Sequence, residues 1–127
     1  MNLEKVVFGF FIILACTLNF GFFIGDLERP ELHHPMELFS AVVVNLIATV
    51  LKFGDRTQLG ATHLATSLVA SLQLVAASMV WVYQLYVVGQ PMGAELTAVI
   101  VSLSGGALLA NVFSVILLIG ETLRQGR

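Results

Sequence analysis

Apolar residues fall into four long runs, at residues 6–25, 38–53, 61–88 and 95–120, separated by three polar breaks. The first run, as a helix rising 1.5 Å per residue, spans about 30 Å, one hydrocarbon thickness of a bilayer. The second is slightly short, but Glu37 and Lys52 bracket it and their long stems can snorkel to the interfaces. The third is too long for one upright crossing. Trp81, Tyr83 and Tyr86 place its last part at the headgroup level, where amphipathic rings gather, leaving residues 61–80 to span. The break at residues 54–60 reads GDRTQLG, a turn sequence, and Pro91 between Gly89 and Gly93 makes the last one. The pattern predicts an all-α integral membrane protein: a single domain over residues 1–127, with four transmembrane helices in two hairpins.

Composition sharpens this. Of 127 residues, 57% are hydrophobic and 11% charged, and the mean hydropathy is +0.92. A soluble domain this small keeps a large share of its surface in water and needs more polar side chains to cover it. A bilayer removes that need. The first run exceeds a usual signal-peptide core, and Asp26-Leu27-Glu28 offers no small-residue cleavage site, so it reads as a retained helix.

Charge sets the expected orientation. With four crossings, both ends and the middle break share a side that carries Lys5, Lys52, Arg56, Arg124 and Arg127, against Arg29 alone on the other. Positive residues favour the cytoplasmic side, so both termini are expected there. Asp26, Glu28, Glu31, Glu37 and Glu95 lie opposite, and the bias argues against a dual-topology protein. A bacterial-type inner membrane is the expected location, from compactness.

Other classes find little support. A net charge of −2 without a basic stripe carries no nucleic-acid signal. One cysteine, Cys16, cannot build a disulfide framework or a multi-cysteine zinc cage. No HExxH, GxSxG or P-loop occurs, so neither enzyme activity nor a cofactor is expected.

The chemistry left is that of buried polar groups, which in hydrocarbon must face a partner, a neighbouring subunit or a wet cavity. Asn45, Thr49 and Lys52 form one stripe by i, i+4, i+7 spacing. Thr66, Ala70, Gln73 and Ala77 form another, and Ser104, Ala107 and Asn111 a third. Residues 41–55 and 107–121 align without a gap, matching Asn45 to Asn111 and Gly54 to Gly120. A duplicated hairpin would leave that pattern, and so would two helices sharing only an apolar composition. Either way the two amides sit about 13–14 Å from their glycines, near the midplane.

Two readings follow. Asn45, Thr49, Gln73 and Asn111 line a path for an ion or small solute, or they glue helices together as small and amide residues do in membranes. Four short helices enclose little volume, so the path is expected between subunits of a homo-oligomer. The second reading makes the chain a non-transporting accessory or scaffold of another membrane protein. In the outer break, His33, His34 and Glu37 are candidates for external cation or pH sensing, against a plain solvated loop. His63, opening the third run near the cytoplasmic face, reads as an interfacial cap.

Small multidrug transporters have four short helices, but the acid they bury in the first is replaced here by Asn19, so their exchange chemistry is not carried over. Residues 105–120 are faintly similar to a Gly/Asn-rich helix of fluoride channels. The arginine and Phe-Pro-Thr hallmarks of that family are absent. Neither family is assigned.

Overall fold

The computed structural model describes residues 3–24, 35–55, 57–90 and 93–125, and every regular element among them is helical. Helix α1 runs Leu3–Phe23, α2 Pro35–Lys52, α3 Gln58–Val82 and α4 Ala94–Gln125. A wider π turn, Tyr83–Val88, extends α3.

Local chemistry explains the ends. In α2 a proline at the first position gives up an N–H that the helix would not have used. Glu37 in its first turn and Lys52 in its last match the helix dipole. Thr57 caps α3, its hydroxyl accepting from the Gly60 amide at 2.9 Å. Asp55 in turn accepts from the Thr57 N–H and hydroxyl, at 2.9 and 2.7 Å. Gly60 lets the Asp55 carboxylate lie close, because a Cβ there would make that side chain shift. The π turn closes on Gly89, whose positive φ of 76° suits glycine; its N–H donates to the Gln84 carbonyl at 3.1 Å.

Each helix packs on the next in sequence, and α1 closes the ring against α4. Across one diagonal, rings that reach into the interior link α1 and α3. Phe22 approaches Trp81 at 5.8 Å at one end, and Phe8 and His63 meet in a T-shaped pair at 4.9 Å towards the other. Lys5 of α1 and Glu121 of α4 are ion-paired at 2.7 Å, so the start of α1 and the end of α4 share that second end. We call it the Lys5 end, and the opposite one the Glu95 end.

The seam of α3 is regular. Gly60, His63, Ser67, Ala70, Leu74, Ala77 and Trp81 are all buried, with alternating spacings of three and four. That is the spacing of a coiled-coil seam, which keeps one stripe facing its neighbours. The outer surface is apolar: Phe10, Leu72, Leu109 and Ile116 are all more than half exposed. Three helical stretches, Leu3–Phe23, Gln58–Val88 and Ala94–Arg124, are long and apolar enough to cross a membrane. The chain therefore reads as membrane-associated, by length and composition.

One residue departs from expectation. Trp81 is not an exposed interfacial ring; it is 6% exposed and packed on Phe22, while Tyr83 and Tyr86 remain outside. The seam spacing wins because Trp81 lies one heptad beyond Leu74, on the buried face.

Candidate functional site

All four helices send polar side chains inward. From α2 come Asn45, Thr49 and Lys52, the predicted stripe, all buried. From α4 come Ser104 and Asn111, also as predicted, with Thr97 and Ser114. From α1 comes Asn19. On α3 the prediction was rotated: the buried polar residues are His63, Ser67 and Ser71, whereas Thr66 and Gln73 are only partly covered. The signal was present in the sequence as the His63–Ser67–Ser71 spacing, hidden by a reading that anchored the stripe on Gln73.

Near the Glu95 end Asn19 is satisfied, whereas the buried Ser78 hydroxyl of α3 has no partner. With its nitrogen facing α4, Asn19 donates to the Ser104 hydroxyl at 2.9 Å and to the Ser104 carbonyl at 3.0 Å. Its oxygen accepts from the Leu108 amide at 2.9 Å. Around and beyond this pair the interior is apolar: Phe22, Leu38, Leu74, Trp81 and Ile100.

Midway, the accounting stops closing. Asn45 donates to the Ala41 carbonyl at 2.9 Å, but its Oδ1 has no hydrogen-bond partner. Thr49 donates to the Asn45 carbonyl at 2.8 Å and sits 3.1 Å from the Ser71 hydroxyl. Asn111 is fully buried with neither amide atom partnered, and the Ser67 hydroxyl is likewise unpaired. In a dry interior each such group costs roughly 1–3 kcal/mol. Gln73 lies towards the α3–α4 surface, its amide seated where a Gly106 Cβ would be, beside an open groove of about 510 Å³ lined by Glu95, Ala98 and Ser102.

Towards the Lys5 end the interior becomes ionisable. His63 is 1% exposed; its Nδ1 is 2.6 Å from the Ser114 hydroxyl and its Nε2 is buried without a partner. Lys52 is 7% exposed, its ammonium 3.4 Å from an Asp55 oxygen and 4.3 Å from the Phe8 ring centroid. His63 is thus no interfacial cap. Gln58 starts α3 earlier than the apolar run suggested, which carries His63 a full turn inside, under Phe8. Beside it opens a cavity of about 840 Å³, lined by Lys5, Thr57, Thr62, Glu121 and Arg124 among others. At its rim the Thr57 hydrogen bonds, helped by Lys52, hold the Asp55 carboxyl below the usual carboxylate range.

Asn45 and Asn111 therefore face the interior of one chain, not a surface that a second copy could line. Of the outer cation or pH-sensing candidates, His33 and His34 lie outside the described residues, and the Glu37 carboxylate lies against Gly21. No group of three His, Cys, Asp or Glu able to hold a metal occurs among the described residues.

A family model described as a family of unknown function (DUF6394) matches residues 32–122. The chain belongs to that family. The matched stretch takes in α2, α3 and nearly all of α4, hence every residue of the polar core except Asn19. No curated protein and no solved structure matches the chain.

Proposed function

We propose that this protein is a small membrane channel or transporter subunit for an ion or small solute, its path running through the interior of each chain. The observation that carries the reading is Asn111, a fully buried amide with both polar atoms unpartnered, beside an unpaired Asn45 oxygen and Ser67 hydroxyl. Packing glue spends its amides on neighbours, as Asn19 does. Groups left open in a low-dielectric interior instead suit water or a passing solute.

The membrane frame belongs to the same proposal. Four spans in two hairpins, both termini cytoplasmic, would put Lys5, Lys52 and Arg124 at the cytoplasmic end. The Lys5–Glu121 pair supports bringing both chain ends to one side. A bacterial-type inner membrane and assembly into a homo-oligomer complete it, each copy keeping its own interior; no catalytic step is assigned. The polar core ends at the Phe22–Trp81 contact, so passage requires that apolar seal to part, as in a gated or alternating device.

The second reading, a non-transporting accessory or scaffold of another membrane protein, is favoured by how completely the core is closed from the surface. Reconstitution into lipid vesicles separates the two. A transport subunit passes a panel of small ions and solutes, and Asn111→Leu abolishes that flux while leaving a folded protein. A folded wild type that passes none of the panel, together with co-purification of one membrane partner, makes it a scaffold.

A further inference from the structure

The charge of the buried residues points to what the core accepts. Among the buried polar side chains of the described residues the ammonium of Lys52 is the only full formal charge, and it is positive. In a low-dielectric interior an uncompensated cation repels cations and attracts anions far more strongly than in water. Its compensation is incomplete: three N–H donors meet one carboxylate oxygen at 3.4 Å and the face of Phe8. We propose that the Lys5 end of the core is a binding site for a small monovalent anion, held between the Lys52 ammonium and the His63 imidazole.

Phe8 fixes the juxtaposition. The ammonium stands 4.3 Å and the imidazole centre 4.9 Å from the centroid of this one ring, so both are direct neighbours of the same residue. When the Ser114 hydroxyl donates to Nδ1 at 2.6 Å, the imidazole proton sits on Nε2, a buried donor with no acceptor. One turn further in, the Ser67 hydroxyl and the Asn111 amide nitrogen add donors that no group of the chain uses. An anion supplies the acceptor that the His63 Nε2 donor lacks and a second one for the Lys52 ammonium.

The charged groups facing His63 are Lys52 from α2, Asp55 from the turn and Glu121 from α4; α1 presents Phe8. Both carboxylates are engaged at the rim, Asp55 by Thr57 and Lys52, and Glu121 by Lys5. Asp55 thus offsets part of the Lys52 charge from the rim, through a single long contact of 3.4 Å. The 840 Å³ cavity opens at the same end and is lined by Asp55, the ion-pair partner of Lys52, though by neither Lys52 nor His63 itself. Naming the cargo in this way rests on the transport reading above, whereas the binding site itself does not.

The test uses the full chain in lipid nanodiscs with ¹⁵N-labelled histidine, the His63 signals assigned with His63→Gln. Sodium bromide and sodium nitrate, titrated at constant ionic strength against gluconate, are expected to shift those signals saturably. Lys52→Met should weaken the response at least tenfold and Lys52→Arg by only a few-fold, both variants checked for a native elution profile. No saturable shift in the wild type, or equal responses in wild type and Lys52→Met, overturns the site. In vesicles, nitrate flux lost in Lys52→Met and kept in Lys52→Arg supports anion transport. Flux of sodium or glycerol but not nitrate, with a silent His63, leaves the path standing and overturns the anion site. A His63 response to bromide without flux of any solute does the reverse.

Discussion

The two ends of the interior are built by opposite rules. At the Glu95 end, Phe22, Leu38, Leu74, Trp81 and Ile100 fill the space between helices, and Asn19, at its edge, has its amide fully spent on Ser104 and Leu108. At the Lys5 end, Phe8, Ile12 and Ala48 are a thin apolar lining around Lys52, His63, Ser67 and Asn111, several of whose polar atoms have no partner. One end is mostly apolar, as a protein interior normally is, though the Ser78 hydroxyl there has no partner. The other carries a standing energetic cost, and costs of that kind gather where a molecule has something to bind.

The largest effect that tests this contrast is at the seal. Trp81→Ala removes the ring that spans the interior to Phe22, and should destabilise by about 3 kcal/mol or more through the cavity it leaves. The measurement is unfolding in mixed micelles followed by helical circular dichroism. A loss below about 1 kcal/mol would mean that the Glu95 end is not the dry, packed half described.

A smaller effect carries opposite signs at two amides. Asn19→Leu gives up a satisfied interhelical amide and should cost about 1 kcal/mol, between the average of about 0.6 and the maximum of about 1.7 kcal/mol for such bonds. Asn111→Leu removes two unpartnered polar atoms and should be neutral or stabilising by about 1 kcal/mol. If Asn111→Leu destabilises as much as Asn19→Leu, both amides are glue and the contrast fails.

The smallest effect lies at the rim, at the partly exposed Asp55. Its carboxyl pKa is depressed in the folded chain, first by the Thr57 side-chain and backbone hydrogen bonds. A depressed folded value means that this stabilisation is complete above the unfolded carboxyl pKa and is lost as pH falls through the folded one. Thr57→Ala should therefore flatten the acid limb of the pH–stability curve, with little change at neutral pH beyond the lost α3 cap. An unchanged acid limb would show that Asp55 is held by something other than Thr57.

Much of the helical frame was legible in the chain. The apolar runs marked all four helices to within a few residues, apart from a fourth that runs five residues further, because amphipathic spacing and breakers such as GDRTQLG act locally. The α2 and α4 stripes were legible too, since each held two or more polar residues at helical spacing in an apolar background. The α3 stripe was not. Its polar and small residues wrap much of the helix, so spacing alone left its rotation undetermined, and Gln73 drew the choice away from Ser67 and Ser71. His63 was misread because depth was inferred from where hydrophobicity began, whereas α3 begins at Gln58 under the Thr57 cap.

By itself, then, the sequence determined that the chain is helical, apolar enough to meet a membrane, and supplied with amides on all four of its helices. Those properties follow from hydrogen bonding within single helices and from transfer between solvents, and neither needs a neighbour. Only the tertiary structure decided that Asn19 is satisfied and Asn111 is not, that Trp81 seals one end, and that Lys52 and His63 share the ring of Phe8. Whether a buried polar atom has a partner depends on residues dozens of positions away, set by how helix faces rotate against one another.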